Sequence, residues 1–374
     1  MEIEKISNGQ LFTFIFLFEM GTAIVVPAGL VSQKTVWLSI ILASLGGMLL
    51  YLLYHYLSLE YPDLVLSGYA QKILGKYIGW FVSFIYIIFF IYLCSRDLRD
   101  TGDLLISSVY SETPLLVIAS LLIILVIYAL NKGIEVLART AELYFFVIIF
   151  FGFFFSLFII LSGIIKVENL LPLLEEGWKP VIKNAYPHIF MFPFGEMICF
   201  ATIFPNLNNL KSGRKIGISA LTLSTIVLAF IHALEISVLG ETRYGQTPFP
   251  LLLTIQKVEI GNFIQRLDML AVLALIICVF FKISIYCIAI VIMVSDLFKV
   301  KNKKKLVLPI GFLILLSSII IASNLSEHIK EGELTIKILL PLIAVVFPLL
   351  LFVVHLVRKK FGGHLSNMSS ENKK

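Results

Sequence analysis

Apolar runs, each about 20 residues long, follow one another over nearly the whole length of this chain. The 374 residues are 59% hydrophobic and only 14% charged, whereas a soluble domain carries roughly 25% charged residues on its surface. The chain therefore lacks the polar residues that would cover a water-facing surface. In a bilayer only helices and closed barrels satisfy every backbone hydrogen bond, and continuous runs of this length favour helices. We predict an all-α polytopic membrane protein.

Ten of these runs are long enough to cross a membrane as helices. They cover residues 11–30, 36–59, 78–108, 114–130, 141–164, 185–204, 216–239, 263–297, 306–322 and 336–357. With the N-terminus in the cytosol, cytosolic segments carry about twice as many lysines and arginines as outer loops, in agreement with the positive-inside rule. Ten spans return the C-terminus to the cytosol. We expect one transmembrane domain, residues 1–361, and a polar, disordered cytosolic tail, residues 362–374.

Two of the predicted spans contain residues that interrupt helices. Residues 18–27 read FEMGTAIVVP in the first span, and residues 187–196 read PHIFMFPFGE in the sixth. Proline removes a backbone donor and glycine loosens the helix, so both spans are expected to break near the bilayer centre. One break at the start of each five-span half predicts an inverted five-plus-five repeat, residues 9–164 and 185–357, with a ligand site at the midplane. A simple kink in each helix is the alternative.

Charged residues inside the predicted spans are costly and need a role. Arg96 or Lys282 could neutralise the carboxylate of a ligand. Glu19, Asp97 and Glu196, together with Lys282, are candidates for a proton or ion path. These residues indicate a polar path through the helix bundle.

Internal salt bridges that fix helix packing are the alternative role for the charges of the third span. Arg96 and Asp100 are four residues apart, and Arg99 and Asp103 repeat this spacing. Each pair can therefore meet on one helix face. Near the outer end of the seventh span, His232 and Glu235 are interpreted as a pair in a wet vestibule.

Enzyme and cofactor signatures are missing from the sequence. It contains no phosphate-binding loop, no Gly-x-Ser-x-Gly elbow and no His-Glu-x-x-His motif. The four cysteines lie in apolar runs without the spacing of a metal site. The net charge of +6 is assigned to basic cytosolic loops rather than to nucleic-acid binding. We expect no catalytic residue, no cofactor, no metal and no nucleic-acid partner.

The two predicted breaks resemble those of the amino acid–polyamine–organocation (APC) transporter superfamily. Residues 21–24, GTAI, are similar to its Gly-Ser-Gly-Ile break in the first helix, and residues 192–196, FPFGE, to its Phe-x-Gly-Phe-Glu-like break in the sixth. This resemblance implies a LeuT-like fold with interrupted helices 1 and 6. The proposed ligand-binding residues are Gly21, Thr22, Ala23, Arg96, Phe190, Phe194, Gly195 and Lys282.

The whole chain resembles more specifically the B subunits of GerA-type spore germinant receptors. The resemblance rests on the short polar N-terminus, EMG at residues 19–21, EYP at 60–62, RD at 96–97 and the break at 192–196. It implies a location in the inner membrane of a bacterial spore and assembly with an A subunit and a C-subunit lipoprotein. It also implies recognition of a small nutrient, such as an amino acid, between helices 1, 3, 6 and 8.

Two other functions are compatible with the same pocket. The chain could be a proton-coupled amino acid permease, in which Lys282 or Glu196 would carry the proton. It could also be a scaffold whose site no longer binds. The sequence does not identify the nutrient, the coupling ion or the subunit stoichiometry.

Overall fold

The computed structural model describes residues 4–29, 34–258 and 267–371, with side chains as far as Lys360. Within these ranges the regular secondary structure is helical, apart from one isolated strand-like bridge. The helices are α1 (Asn8–Met20), α2 (Val36–Glu60), α3 (Leu66–Leu74), α4 (Lys76–Ser108), α5 (Leu115–Lys132), α6 (Ile134–Leu161), α7 (Trp178–Asn184), α8 (Gly213–Gln246), α9 (Pro250–Gln256), α10 (Leu267–Leu297), α11 (Lys304–Ile320), α12 (Leu325–Leu334) and α13 (Phe347–Glu371).

Seven helical segments are long and apolar enough to cross a membrane, which confirms the prediction of a multi-pass helical protein. They are α2, α4, α5, α6, residues Leu210–Gln246, α10 and residues Leu325–Lys360. The other three predicted spans fall on α1, which has 13 residues, on the broken segment before α8, and on α11, which has 17. The start of the predicted eighth span, residues 263–266, lies outside the described residues. The count of ten spans stays a prediction.

Helix α10 forms the centre of the bundle. In its most apolar window 83% of the residues are buried, against 17% for α6, which faces outward. Helix α10 packs against α4, α1 and α11. A polar side chain on α10 is therefore removed from both water and lipid, and its partners have to come from neighbouring helices.

The first predicted break is present at Gly21. Helix α1 begins with a capping box, in which Ser7 and Gln10 satisfy each other's backbone donors. It ends at Met20, because the backbone of Gly21 leaves the helical region, and a 3-10 turn, Thr22–Ile24, follows. The chain thus unwinds within the bundle.

The second break is longer than the sequence predicts. After α7, a wide π-type turn covers Ala185–Ile189, and a 3-10 helix covers Phe194–Thr202. Pro187 and Pro193 cannot donate backbone hydrogen bonds, so an α-helical ladder cannot continue across either residue. The predicted sixth span is therefore an irregular segment with two turns rather than one helix with a single gap.

Two further regions differ from, or extend, the prediction. The predicted outer loop after α11 contains α12, and wide turns at Thr335–Leu339 and Pro341–Val346 connect α12 to α13.

At the other end of the bundle the N-terminal segment pairs with the chain after the second break. The N–H of Ile6 donates to the carbonyl of Asn206 (2.8 Å), and the N–H of Asn208 donates to Ile6 (3.0 Å). The domain bounds and the disorder of residues 362–374 stay predictions.

Candidate functional site

Lys282 occupies the centre of a closed cluster of polar side chains. Its side chain is fully buried on α10. The ammonium Nζ lies 2.6 Å from Glu196 Oε2 in the second broken segment and 3.6 Å from Asp97 Oδ1 on α4. It also donates a hydrogen bond to Thr22 Oγ1 at 2.9 Å. One cation therefore connects α10 to α4 and to both interrupted segments.

The turn at the end of α1 supplies the link between Lys282 and α4. The hydroxyl of Thr22 accepts from Lys282 and donates to Asp97 Oδ1 at 2.9 Å. Gly21 makes this approach possible, since a Cβ added there would lie 2.4 Å from Lys282 Cδ. Thr101 adds a further bond on α4 by donating to the carbonyl of Asp97 at 2.8 Å. Gly21 thus leaves room for the Lys282 side chain, and Thr22 bridges Lys282 and Asp97.

Two aromatic rings shield the ammonium group. Lys282 Nζ lies 4.7 Å from the centroid of Phe192 and 5.4 Å from that of Phe18. Both distances are within the range of cation–π attraction, which strengthens when the cation is removed from water. Tyr286, one turn along α10 from Lys282, packs its ring edge-on against Phe18 at 5.1 Å. The site is consequently closed to water in this arrangement.

Glu19 adds a third carboxyl group beside the cluster. It is fully buried, and its charge interacts with those of Lys282 and Glu196. Among the described residues neither of its oxygens has a hydrogen-bond partner. One ammonium group cannot balance three ionised carboxylates, and an unbalanced buried charge is very costly. The arrangement therefore suits a site that holds protons or a further cationic group together with Lys282.

Arg96 does not join this cluster, although the sequence suggested it as a ligand contact. Its Nη2 donates to the carbonyl of His328 at 3.0 Å, and its guanidinium lies 5.9 Å from the Tyr92 ring. Asp100, its expected partner, instead contacts His328 Nε2 at 2.8 Å. The predicted Arg96–Asp100 pair is thus replaced by contacts of both residues with α12, which the sequence had placed in a loop.

The second predicted pair of α4 is present. Arg99 Nε donates to Asp103 Oδ2 at 3.0 Å, with both side chains mostly buried. Arg99 also donates to the carbonyl of Ala322 at 3.0 Å, just beyond α11. Arg99 thus links α4 to the chain just after α11, which agrees with the structural alternative for the charges of this span.

Phe190 and Phe194, the two aromatic residues predicted to contact a ligand at the second break, do not face Lys282. A Cβ added at Gly47 on α2 would lie 2.5 Å from Phe194, and one at Gly46 would lie 2.8 Å from Phe190. Both rings therefore pack against α2, whereas Phe192, between them, faces Lys282. Sequence reasoning missed Phe192 and Phe18. The available signal was their position beside Pro193 and Glu19, the residues that mark the two breaks.

Of the other predicted ligand contacts, Ala23 belongs to the first turn and Gly195 to the second broken segment. Ala23 is buried, and its carbonyl lies 3.2 Å from His232 Nε2. Gly195 has ordinary neighbours, the nearest being Met191 Sδ at 3.5 Å from an added Cβ. The interpretation of His232 and Glu235 as a wet vestibule pair is wrong, because both are 1% exposed and bonded to each other at 2.8 Å.

Comparison with known proteins assigns the chain to a family. Residues 5–326 match the family model described as spore germination protein. The chain is 40% identical to spore germination protein KB of Bacillus subtilis (strain 168), over 96% of this chain and 97% of the relative. It is 27% identical to spore germination protein XB of Bacillus anthracis, over 73% of this chain and 74% of that protein.

Solved structures of transporters share the fold. Mhp1, a nucleobase-cation-symport-1 family transporter solved in a closed conformation with bromovinylhydantoin, matches with a TM-score of 0.65 and 14% identity, covering 84% of this chain and 72% of Mhp1. MhsT in complex with L-phenylalanine matches with a TM-score of 0.60 and 13% identity, covering 95% of this chain and 99% of MhsT. The chain belongs to the spore germination protein family and folds as a transporter-like membrane protein.

Proposed function

We propose that this protein is the nutrient-sensing membrane subunit of a spore germination receptor. The observation that carries the proposal is the Lys282 cluster, which gathers α10, α4 and both interrupted segments around one buried ammonium group. Membership of the spore germination protein family supplies the biological setting. The ligand is a small nutrient of the amino-acid type, bound at the midplane between the predicted helices 1, 3, 6 and 8.

The architecture that we propose for this role has ten spans in two inverted repeats, residues 9–164 and 185–357. The match to MhsT over nearly the whole of both chains supports this arrangement. Both termini are placed in the cytosol, and the membrane is the inner membrane of the spore. The proposed partners are an A subunit and a C-subunit lipoprotein.

Ligand binding has to change the contacts of Lys282. In the closed arrangement its ammonium is engaged by Glu196, Asp97 and Thr22. A ligand carboxylate would compete with Glu196 for Lys282, and a ligand ammonium group would compete with Lys282 for the carboxyl groups. Either exchange loosens the link between α10 and the second broken segment. Since a ligand that prefers one arrangement shifts the population towards it, binding can be passed to partner subunits.

A proton-coupled amino acid permease is the second candidate function. The buried carboxyl groups of Glu19, Asp97 and Glu196 around one lysine favour it, because such a cluster can take up and release protons as the site opens. The two candidates share the ligand site. They differ in net flux across the membrane.

The experiment uses the full chain in proteoliposomes, with and without the A subunit and the lipoprotein. Binding and uptake of labelled amino acids are measured with an inward proton gradient. A receptor subunit binds a nutrient without accumulating it, whereas a permease accumulates it until the gradient is collapsed. Binding by neither preparation, across the common amino acids, would contradict both candidates and favour a scaffold.

Two variants test where the nutrient binds. Thr22→Val removes the hydroxyl that joins Lys282 to Asp97, and Gly195→Leu adds a large side chain to the second broken segment. Both are expected to weaken nutrient binding at least tenfold. Thr222→Val is the matched control, because Thr222 is exposed on α8 and its hydroxyl only bonds its own helix. Unchanged affinity in both site variants would overturn the assignment of the site.

A further inference from the structure

A cavity lies apart from the Lys282 cluster. Its volume is about 400 Å³, and it is bounded by α1, α6, α8, α9 and α10. On α10 its wall ends at Cys278, one helical turn from Lys282. None of Lys282, Asp97, Glu196 and Thr22 lines it. The cavity is therefore a space separate from the Lys282 cluster, although Met20 and Ile24 place it beside the first break.

The walls are almost entirely apolar and reach the lipid-facing surface. Phe153 on α6 is 70% exposed and Phe230 on α8 is 49% exposed, and both line the cavity. Gly152 lines it too, and a Cβ added there would meet nothing within 4 Å. Its volume lies in the range of about 300–1,000 Å³ that is typical of small-molecule sites. An apolar molecule dissolved in the bilayer can enter it without crossing water.

One buried polar group in the cavity wall, Glu235, has an unused acceptor. Its Oε2 lies 2.8 Å from His232 Nδ1. Its Oε1 is buried and has no hydrogen-bond partner in the part of the chain that the structure describes. A buried acceptor without a donor is destabilising. Glu235 lines the cavity while Oε1 itself is covered, so a hydrogen-bond donor on an occupant reaches this oxygen through a small rotation of the side chain.

The net charge of the groups around Glu235 indicates whether the site favours a neutral or a charged donor. The carbonyl of Ala23 can only accept, so His232 donates to it through Nε2, 3.2 Å away. The remaining proton lies between His232 Nδ1 and Glu235 Oε2, and in either position the pair carries no net charge. The hydroxyl of Tyr244, 3.0 Å from Nδ1, accepts the N–H of Ala28 and is neutral. A donor that is itself neutral fits this surrounding better than an ammonium group does.

We propose that this cavity binds a small apolar alcohol, aliphatic or aromatic, that enters from the bilayer. Its hydroxyl donates to Glu235 Oε1, and its hydrocarbon part fills the space between α6, α8 and α10. Met20 and Ile24, on either side of the first break, line the same cavity, and His232 holds the carbonyl of Ala23 between them. An occupant therefore stabilises the unwound turn in the arrangement described here. This site is independent of the proposed nutrient site.

Photolabelling tests the location. The full chain in lipid nanodiscs is irradiated with 3-azioctanol, and labelled peptides are identified by mass spectrometry. Label is expected on the cavity-facing residues of segments 148–160 and 227–235. Gly152→Leu, which fills the cavity, should reduce this label at least fivefold, whereas Thr222→Leu, an exposed position of α8 outside the cavity, should not. Equal labelling of all lipid-facing helices, unaffected by Gly152→Leu, would overturn the site.

Competition tests the head group. In the native chain 1-octanol should displace the label about tenfold better than octane at equal lipid mole fraction, as expected for one buried hydrogen bond. Octylamine should compete less well than 1-octanol. Glu235→Leu should make octanol and octane equivalent, and if this variant does not fold, the series on the native chain still decides. Better competition by octylamine, or displacement of the label only by added phospholipid, would overturn the assignment to a neutral alcohol.

Discussion

Lys282 balances the charge of its buried carboxyl partners. Replacing it by methionine leaves Asp97 and Glu196 buried without a cation. Breaking a buried ion pair in this way costs about 3–5 kcal/mol. We expect Lys282→Met to lower the free energy of unfolding by that amount, measured by denaturant unfolding in mixed micelles.

A matched double variant distinguishes the loss of the ion-pair attraction from the cost of burying an unpaired carboxylate. Lys282→Met combined with Glu196→Gln removes the charge of both ends of the 2.6 Å contact. It should be more stable than Lys282→Met alone, because an uncharged amide is less costly to bury than a carboxylate. A double variant as unstable as the sum of the two single variants would show that the two groups do not interact.

The two glycines of the breaks are not equivalent. At Gly21 an added Cβ would lie 2.4 Å from Lys282 Cδ and 2.9 Å from the carbonyl oxygen of Phe18, whereas at Gly195 its nearest neighbour is at 3.5 Å. Gly21→Ala should therefore destabilise the protein by about 1–3 kcal/mol, and Gly195→Ala should stay within about 0.5 kcal/mol of the native chain. Thermal unfolding of both variants in the same detergent provides the measurement, and equal melting temperatures would contradict this difference.

The sequence identifies charged residues within spans but not their partners. Lys282 is recognisable because a lysine in an apolar run needs a reason. Its partners lie 86 or more positions away in the chain, on α4 and in the second broken segment, so no local spacing connects them to it. Arg96 shows the opposite case, since helical spacing predicts Asp100 as its partner, yet α12 supplies contacts to both. Choosing Phe192 over its neighbours required the direction of each side chain in an irregular turn.

At the level of elements, glycine and proline predict where the helices are interrupted but not the conformation that follows. Gly21 ends α1 at the expected place. Beyond α7 the chain forms a π-type turn and then a 3-10 helix of nine residues, and the prolines specify neither of these conformations. Packing against α2 determines this path, because Phe190 and Phe194 fill the space beside Gly46 and Gly47.

The N-terminal segment connects the start of α1 to the segment that precedes α8. Ile6 is fully buried, and its N–H and carbonyl bond Asn206 and Asn208. Ile6→Pro removes the donor to Asn206, so we expect the amide of Asn208 to exchange with deuterium at least tenfold faster. Ile6→Val, which keeps both backbone bonds and most of the buried surface, should exchange at the native rate. Equal protection in the two variants would show that this pairing does not restrain the segment.

For the whole molecule, the closed Lys282 cluster implies that entry of the proposed nutrient would require a rearrangement of the helices around it. Thr22 is fully buried, and the four native cysteines are buried as well. A Thr22→Cys variant in proteoliposomes should therefore resist a membrane-impermeant maleimide, whereas Asn302→Cys, in the exposed turn between α10 and α11, should react at once with reagent supplied on the side that this turn faces.

The side from which Thr22→Cys becomes reactive distinguishes the two candidate functions. A permease has to expose its site alternately to both sides, so the thiol should react slowly with reagent supplied from either side, and a bound nutrient should change both rates. A receptor subunit needs access only from the side where the nutrient arrives, so reagent from the other side should stay unreactive with or without nutrient. Comparing reagent added outside with reagent trapped inside the vesicles measures both rates. Reaction as fast as that of Asn302→Cys would mean that the cluster is open at rest, and the closed arrangement around Lys282 would then not be the resting state of the protein.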